Sequence, residues 1–94
     1  MALYALVCLD RPDSLQVRLG AREAHLAYVR ERLDQVKLAG PFLDDAGEMA
    51  GSLLILDVPD RAAAEAFNAQ DPYTLAGLWG SVTIKAFKAS IGQL

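Results

Sequence analysis

Apolar and polar positions come in blocks along the 94-residue chain. Ala2 to Leu9 is a nearly continuous apolar run, closed by Asp10-Arg11-Pro12-Asp13. So short a run with that punctuation predicts a strand buried on both faces and central in a sheet. Asp13 or Ser14 caps the helical region that follows. Gly20 interrupts its first part, which predicts two pieces or a bent start. From Ala21 onward Leu26, Val29, Leu33 and Val36 recur at three- and four-residue steps, one apolar helix face. Gly40-Pro41 is the stop signal that this helix is expected to reach.

Phe42-Leu43 then opens a short strand, and Asp44-Asp45-Ala46-Gly47-Glu48 reads as a turn with Gly47 at positive φ. Ser52 to Val58 is the next strand, with Leu53 to Leu56 at its centre and Pro59 closing it. Asp60 is placed to cap a helix over 61–69, which packs through Ala62, Ala63, Ala66 and Phe67. Asp71-Pro72 ends that helix, because the residue before proline is pushed out of the α region. Thr74 to Leu78 forms one further turn, and Val82 to Phe87 is the last strand.

The element order is β-α-β-β-α-β, the ferredoxin-like arrangement: an α+β domain over 1–94 with an antiparallel sheet and two helices on one face. The other sheet face must be solvated or paired with a second subunit. Composition favours pairing. At 53% hydrophobic residues the chain exceeds the usual share for a soluble domain, while a domain of this size buries only a modest fraction of its surface alone. A homodimer through the sheet face accounts for the surplus.

Charge and cysteine content narrow the function classes. The net charge is −3, and the nine basic residues are scattered rather than striped, so nucleic-acid binding is not expected. No apolar run approaches the roughly 20 residues that span a bilayer. Met1 to Leu9 lacks a basic start and is cut off by Asp10, so neither a membrane role nor a signal peptide is expected. Cys8 is the only cysteine, which excludes an internal disulfide and a cysteine metal cluster and fits a reducing, cytoplasmic setting.

His25 is the only histidine, and a free imidazole titrates near pH 6.5, so it exchanges protons at neutral pH. Paired with Asp71, it would have its tautomer fixed by a carboxylate, as in the orienting arm of a catalytic triad. Both residues also fit plain roles, a helix-surface histidine and a helix-terminating Asp-Pro turn. Ser52 and Tyr73 are candidate hydrogen-bond donors, and Arg22, three residues before His25, is a candidate for an anionic ligand. One histidine without a second nearby ligand does not make a metal site. The acidic turn at 44–48 is too short for a calcium loop, and Gly77-Leu78-Trp79-Gly80 lacks phosphate-loop spacing.

Arg22-x-x-His25-Leu26, Ala39-Gly40-Pro41-Phe42, Gly51-Ser52, and Asp71-Pro72-Tyr73 with Gly77 together resemble the YciI-like (YCII) family over nearly the whole chain. The ordered set carries the resemblance; no single motif does. It implies a dimeric α+β barrel in which two sheets pack face to face. It also implies an active site on His25 and Asp71, with Ser52 and Tyr73 at the corresponding family positions. Better understood relatives act on small, often aromatic or lactone-like compounds and include dehydrochlorinases; muconolactone isomerases share the fold.

Two readings stand at this point. In one, the chain is an enzyme without cofactor whose His25-Asp71 dyad performs elimination or isomerisation on a small organic substrate, with Arg22, Ser52 and Tyr73 binding its polar groups. In the other, it is a non-catalytic module of the same dimeric fold that binds a small ligand or a partner. A catalytic pair must line a concave, partly apolar pocket. A binding module is expected to show the same pocket with the histidine turned away or satisfied by backbone, and a purely structural protein no pocket there.

Overall fold

A computed structural model of the chain describes residues 2–94. Met1, the first residue of the stretch read for a signal peptide, lies outside them. Strand β1 (Ala2–Asp10) leads into helix α1 (Leu15–Arg30), followed by β2 (Val36–Leu43) and β3 (Met49–Val58). Helices α2 (Arg61–Gln70) and α3 (Pro72–Leu75) precede β4 (Trp79–Phe87). The four strands form one antiparallel sheet in the order β2-β3-β1-β4, the ferredoxin-like α+β topology. Among the described residues no helix is long and apolar enough to cross a membrane.

β1 is central, as its apolar run predicts, but it is not buried on both faces. Leu6 and Cys8 point to the helix side and are fully covered, together with Leu54, Leu56, Val58 and Ile84. Alternation along the strand sends Leu3, Ala5, Val7 and Leu9 to the other face. There they meet Leu53, Ile55 and Phe87, and β3 in turn aligns Ile55 with Leu38 on β2. No helix of the chain covers that face, and Leu9, Leu38 and Phe87 remain about half exposed. The apolar run of β1 thus serves two different surfaces.

Helix α1 departs from expectation at both ends. Gly20 does not break it: the helix is continuous from Leu15 to Arg30. It also stops ten residues before Gly40, with Glu31 closing it and a turn over 31–35 following. Val36 to Ala39 belong to β2, where Val36 pairs with Leu56 and Leu38 with Ile55. Leu33, assigned by periodicity to the helix face, is 62% exposed. Pairing with β3 overrides the helical spacing here, because Val36 is buried equally well as a strand residue. Pro41 is tolerated because β2 is an edge strand with a free side.

Other expectations hold in detail. Asp60 caps α2 by accepting a hydrogen bond from the Ala63 amide at 2.9 Å. Asp71 leaves the helix with extended backbone, φ −63° and ψ 129°, and at once becomes the cap of α3. Gly77 ends α3 with φ at 71°, a left-handed conformation that favours glycine. At Gly51 the need is space: a Cβ there would lie 2.7 Å from the Cys8 carbonyl oxygen. The strands therefore close up beside Ser52, whose partner in register is Cys8.

Candidate active site

The site lies where α1 and α3 meet above the β2-β3 half of the sheet. Its geometry starts from Asp71. The carboxylate Oδ1 accepts the Tyr73 amide at 2.9 Å, so the Asp-Pro-Tyr turn fixes its own acid. The same oxygen lies 2.8 Å from His25 Nδ1. Both side chains are buried, Asp71 to 1% exposure. With Asp71 ionised, Nδ1 carries the hydrogen and donates it, which leaves the lone pair on Nε2. The Tyr73 ring stacks on the imidazole, centroids 4.0 Å apart and planes 18° from parallel. Trp79 supports Tyr73 edge-on and is itself held by a hydrogen bond to Thr74 Oγ1.

A cavity of about 220 Å³ opens on this pair. Helix α1 contributes Arg18, Arg22, His25, Leu26, Val29 and Arg30 to its lining. The sheet contributes Ala39, Gly40, Pro41, Met49, Ser52 and Leu54, and α3 contributes Tyr73. Among the described residues, every buried side-chain nitrogen and oxygen has a hydrogen-bond partner. His25 Nε2 has none, so it opens on the cavity, while the Tyr73 phenol, also at the cavity, stands within reach of the Arg18 guanidinium. Burial raises the Tyr73 phenol above its ordinary pKa, against the opposing pull of Arg18 and Arg22. It is therefore a neutral donor and acceptor at neutral pH.

Arg18 was not among the residues singled out from the sequence. It is the largest fully buried side chain among the described residues. Its Nε and Nη2 each donate to one oxygen of Asp10 at 2.8 Å, a bidentate pair, and Nη2 also donates to Ser52 Oγ at 3.0 Å. Its guanidinium carbon lies 4.6 Å from the Tyr73 centroid. Burial disfavours the cation, but the hydrogen bonds and charge of Asp10 outweigh it and hold Arg18 above its ordinary pKa. Arg18 and His25 are two turns apart on α1, and Tyr73 packs against both.

The five residues predicted from the sequence thus come together, in different roles. His25 and Asp71 are bonded. Tyr73 stacks on the histidine. Ser52 is buried and faces the same cavity, but its bond is to Arg18 rather than to the dyad. Arg22 stands exposed at the rim with no ion-pair partner among the described residues. The sequence does carry a signal for Arg18: Arg18, Arg22 and His25 follow one another at four- and three-residue steps, a single stripe of a helix. The expected break at Gly20 hid it. Cys8, by contrast, is inert: burial pushes its thiol up to about 12. Among the described residues no cluster of histidine, cysteine and carboxylates could hold a metal ion.

Comparison with known proteins identifies the family and the fold. Residues 2–88 match the YCII-related domain. Protein YciI of Escherichia coli O6:H1 is 37% identical, over 92% of this chain and 96% of the relative. A 5-chloro-2-hydroxyhydroquinone dehydrochlorinase from Burkholderia phenoliruptrix AC1100, solved with 2,5-dihydroxybenzoquinone, superimposes with a TM-score of 0.85. It is 34% identical, covering 92% of this chain and 93% of that one. An antibiotic biosynthesis monooxygenase shares the fold alone, with 16% identity and a TM-score of 0.59 over 97% of this chain and all of its own.

Proposed function

The chain belongs to the YCII-related domain family, and from that premise we propose that it is a cofactor-independent acid/base enzyme of lyase or isomerase type. The observation that carries the reading is the 2.8 Å contact of His25 Nδ1 with buried Asp71, with Nε2 left open on an apolar-walled cavity. His25 Nε2 takes a proton from a carbon or hydroxyl of the substrate. In an elimination, the freed electron pair forms the new double bond and the leaving group departs with its own bonding pair. In an isomerisation, the imidazolium returns the proton to a different atom. Asp71 holds the ring's tautomer and stabilises the imidazolium while it exists. Tyr73 holds the ring plane and offers its phenol to a substrate oxygen.

The dehydrochlorinase likeness supports elimination as the first reaction to test, and the cavity limits the substrate. At about 220 Å³ it falls below the roughly 300–1,000 Å³ of drug-sized sites, so the occupant is small. The same reading includes a homodimer, with the apolar sheet face that the helices leave open covered by a second copy. It also includes a cytoplasmic setting, where the buried thiol of Cys8 stays reduced.

The test is chloride release from 5-chloro-2-hydroxyhydroquinone and related chlorinated hydroxyquinols, with lactone isomerisation scanned in parallel. Turnover by the wild type and its loss in His25→Gln is the expected outcome. Equal rates in the two proteins would remove His25 from the chemistry and the reading with it.

A further inference from the structure

Charge is distributed unevenly around the cavity. Of the residues lining it, three are arginines and none is Asp or Glu. Arg18, at the floor, is neutralised by Asp10 through two hydrogen bonds. Arg22 and Arg30 are different. Both are exposed on α1 and line the cavity, and neither has an ion pair or hydrogen bond to another described side chain. Their neighbours Glu31 and Arg32 pair with each other instead. Two carboxylates stand behind the cavity wall, and both are engaged: Asp10 by Arg18 and Asp71 by His25. The rim therefore carries two uncompensated positive charges over an apolar pocket.

From this distribution we infer that the cavity takes a small organic anion, with Arg22 and Arg30 holding its anionic group at the rim and its apolar body against Leu26, Val29 and Leu54. The inference rests on the acid/base reading of the site and adds the class of substrate. A carboxylate is the group that suits it. The guanidinium fork matches the carboxylate plane, and rim arginines reach it without a desolvation cost of their own. The rim charge also has a consequence for the chemistry. It stabilises negative charge that develops on the substrate when His25 removes a proton, which neutral walls of Leu, Val and Met do not do.

The experiment is an NMR chemical-shift titration of the whole protein with benzoate and with its neutral isostere benzamide. It uses wild type, Arg22→Gln/Arg30→Gln and His25→Gln. Both arginines are exposed, so the double variant folds, and circular dichroism verifies it. Benzoate is expected to bind about tenfold more tightly than benzamide in wild type, the effect of two solvent-screened charge contacts. Its shifts should centre on α1 residues facing the cavity. The double variant should bring the two probes to parity, and added salt should do so progressively. His25→Gln should keep the preference. Absence of benzoate shifts at the cavity, equal affinities in wild type, or a preference that survives loss of both arginines would each overturn the anion inference. None of these outcomes depends on turnover. A His25→Gln protein that keeps its preference but not its turnover separates the binding result from the catalytic one.

Discussion

Two side chains of α1 reach buried carboxylates at the same distance, 2.8 Å, on either side of one tyrosine. Arg18 meets Asp10 and His25 meets Asp71. Arg18 is closed. Its Nε and Nη2 are committed to Asp10 and Ser52, its exposure is 2%, and its proton is held more firmly than in a free arginine. His25 is half committed. One nitrogen is tied to Asp71 and the other faces the cavity. A buried charge held by a bidentate carboxylate and a third hydrogen bond is a fixed post, and it orients what packs on it. A buried base with one free lone pair can take up and release a proton without rearranging. The two pairs share Tyr73, so the fixed pair sets the ring that in turn sets the base.

Breaking each pair should separate these roles. The largest effect is expected at the open pair: Asp71→Asn and His25→Gln should each lower turnover by about 10²–10⁴-fold, the range of one general acid/base group. Steady-state kinetics on the best substrate measures it. In Asp71→Asn the ¹⁵N shifts of the ring should also show the Nδ1–H tautomer giving way to a mixture. Retention of a single Nδ1–H tautomer would mean that Asp71 does not hold the ring.

Next comes the closed pair. Arg18→Met leaves the Asp10 carboxylate buried without its partner, and the expected cost is about 3–5 kcal/mol of folding stability. Urea denaturation gives the number. Asp10→Asn/Arg18→Met should recover part of it, since neither charge then lacks a partner. A cost below about 1 kcal/mol, the scale of a solvent-exposed pair, would contradict the closed arrangement.

A smaller change is expected from Ser52→Ala, which removes one acceptor of Arg18 while both Asp10 bonds remain. About 1 kcal/mol should be lost. Turnover should fall through KM rather than kcat if Ser52 only positions Arg18 and shapes the cavity.

The smallest effect is one of pH. Cys8 feels both pairs: after burial itself, the Asp71 charge raises its thiol, Arg18 lowers it and Asp10 raises it, and it stands at about 12 against an ordinary 9.0. The unfolded thiol ionises first. The contribution of Cys8 to stability is therefore complete below pH 9.0 and is lost as pH climbs toward about 12. Urea midpoints of wild type and Cys8→Ala should converge across that window. Parallel curves would place the thiol in a less buried setting. At neutral pH, alkylation by iodoacetamide should proceed only as fast as the protein unfolds.

Much of the fold follows from local rules that the sequence states openly. Pro59 and Asp60 close β3 and cap α2 in consecutive positions. Asp71-Pro72 leaves α2 and caps α3, and the Oδ1 that caps is the one His25 meets. Those features depend on residues a few positions apart, so sequence spacing was enough to find them; that His25 meets Asp71, 46 positions away, was not legible there. The stretch from Glu31 to Pro41 is the opposite case. Leu33 and Val36 continue the helical spacing of α1, and Gly40-Pro41 reads as a stop, yet the chain turns at 31–35 and spends these residues on β2. Arg18 was missed for a related reason, because Gly20 suggested a break that the packed helix does not have.

Sequence by itself determined the order of elements, the Asp60 cap, the stop at Asp71-Pro72 and the sheet's central strand, and it nominated His25 and Asp71 without bringing them together. Only the tertiary structure decided where α1 stops, that Arg18 is buried against Asp10, and that two arginines at the rim lack counter-charges. The reason is physical. Caps and turns are fixed by hydrogen bonds between near neighbours, whereas the state of Val36 or Arg18 depends on partners 20 or 8 residues away, Leu56 and Asp10, whose positions exist only once the sheet has formed.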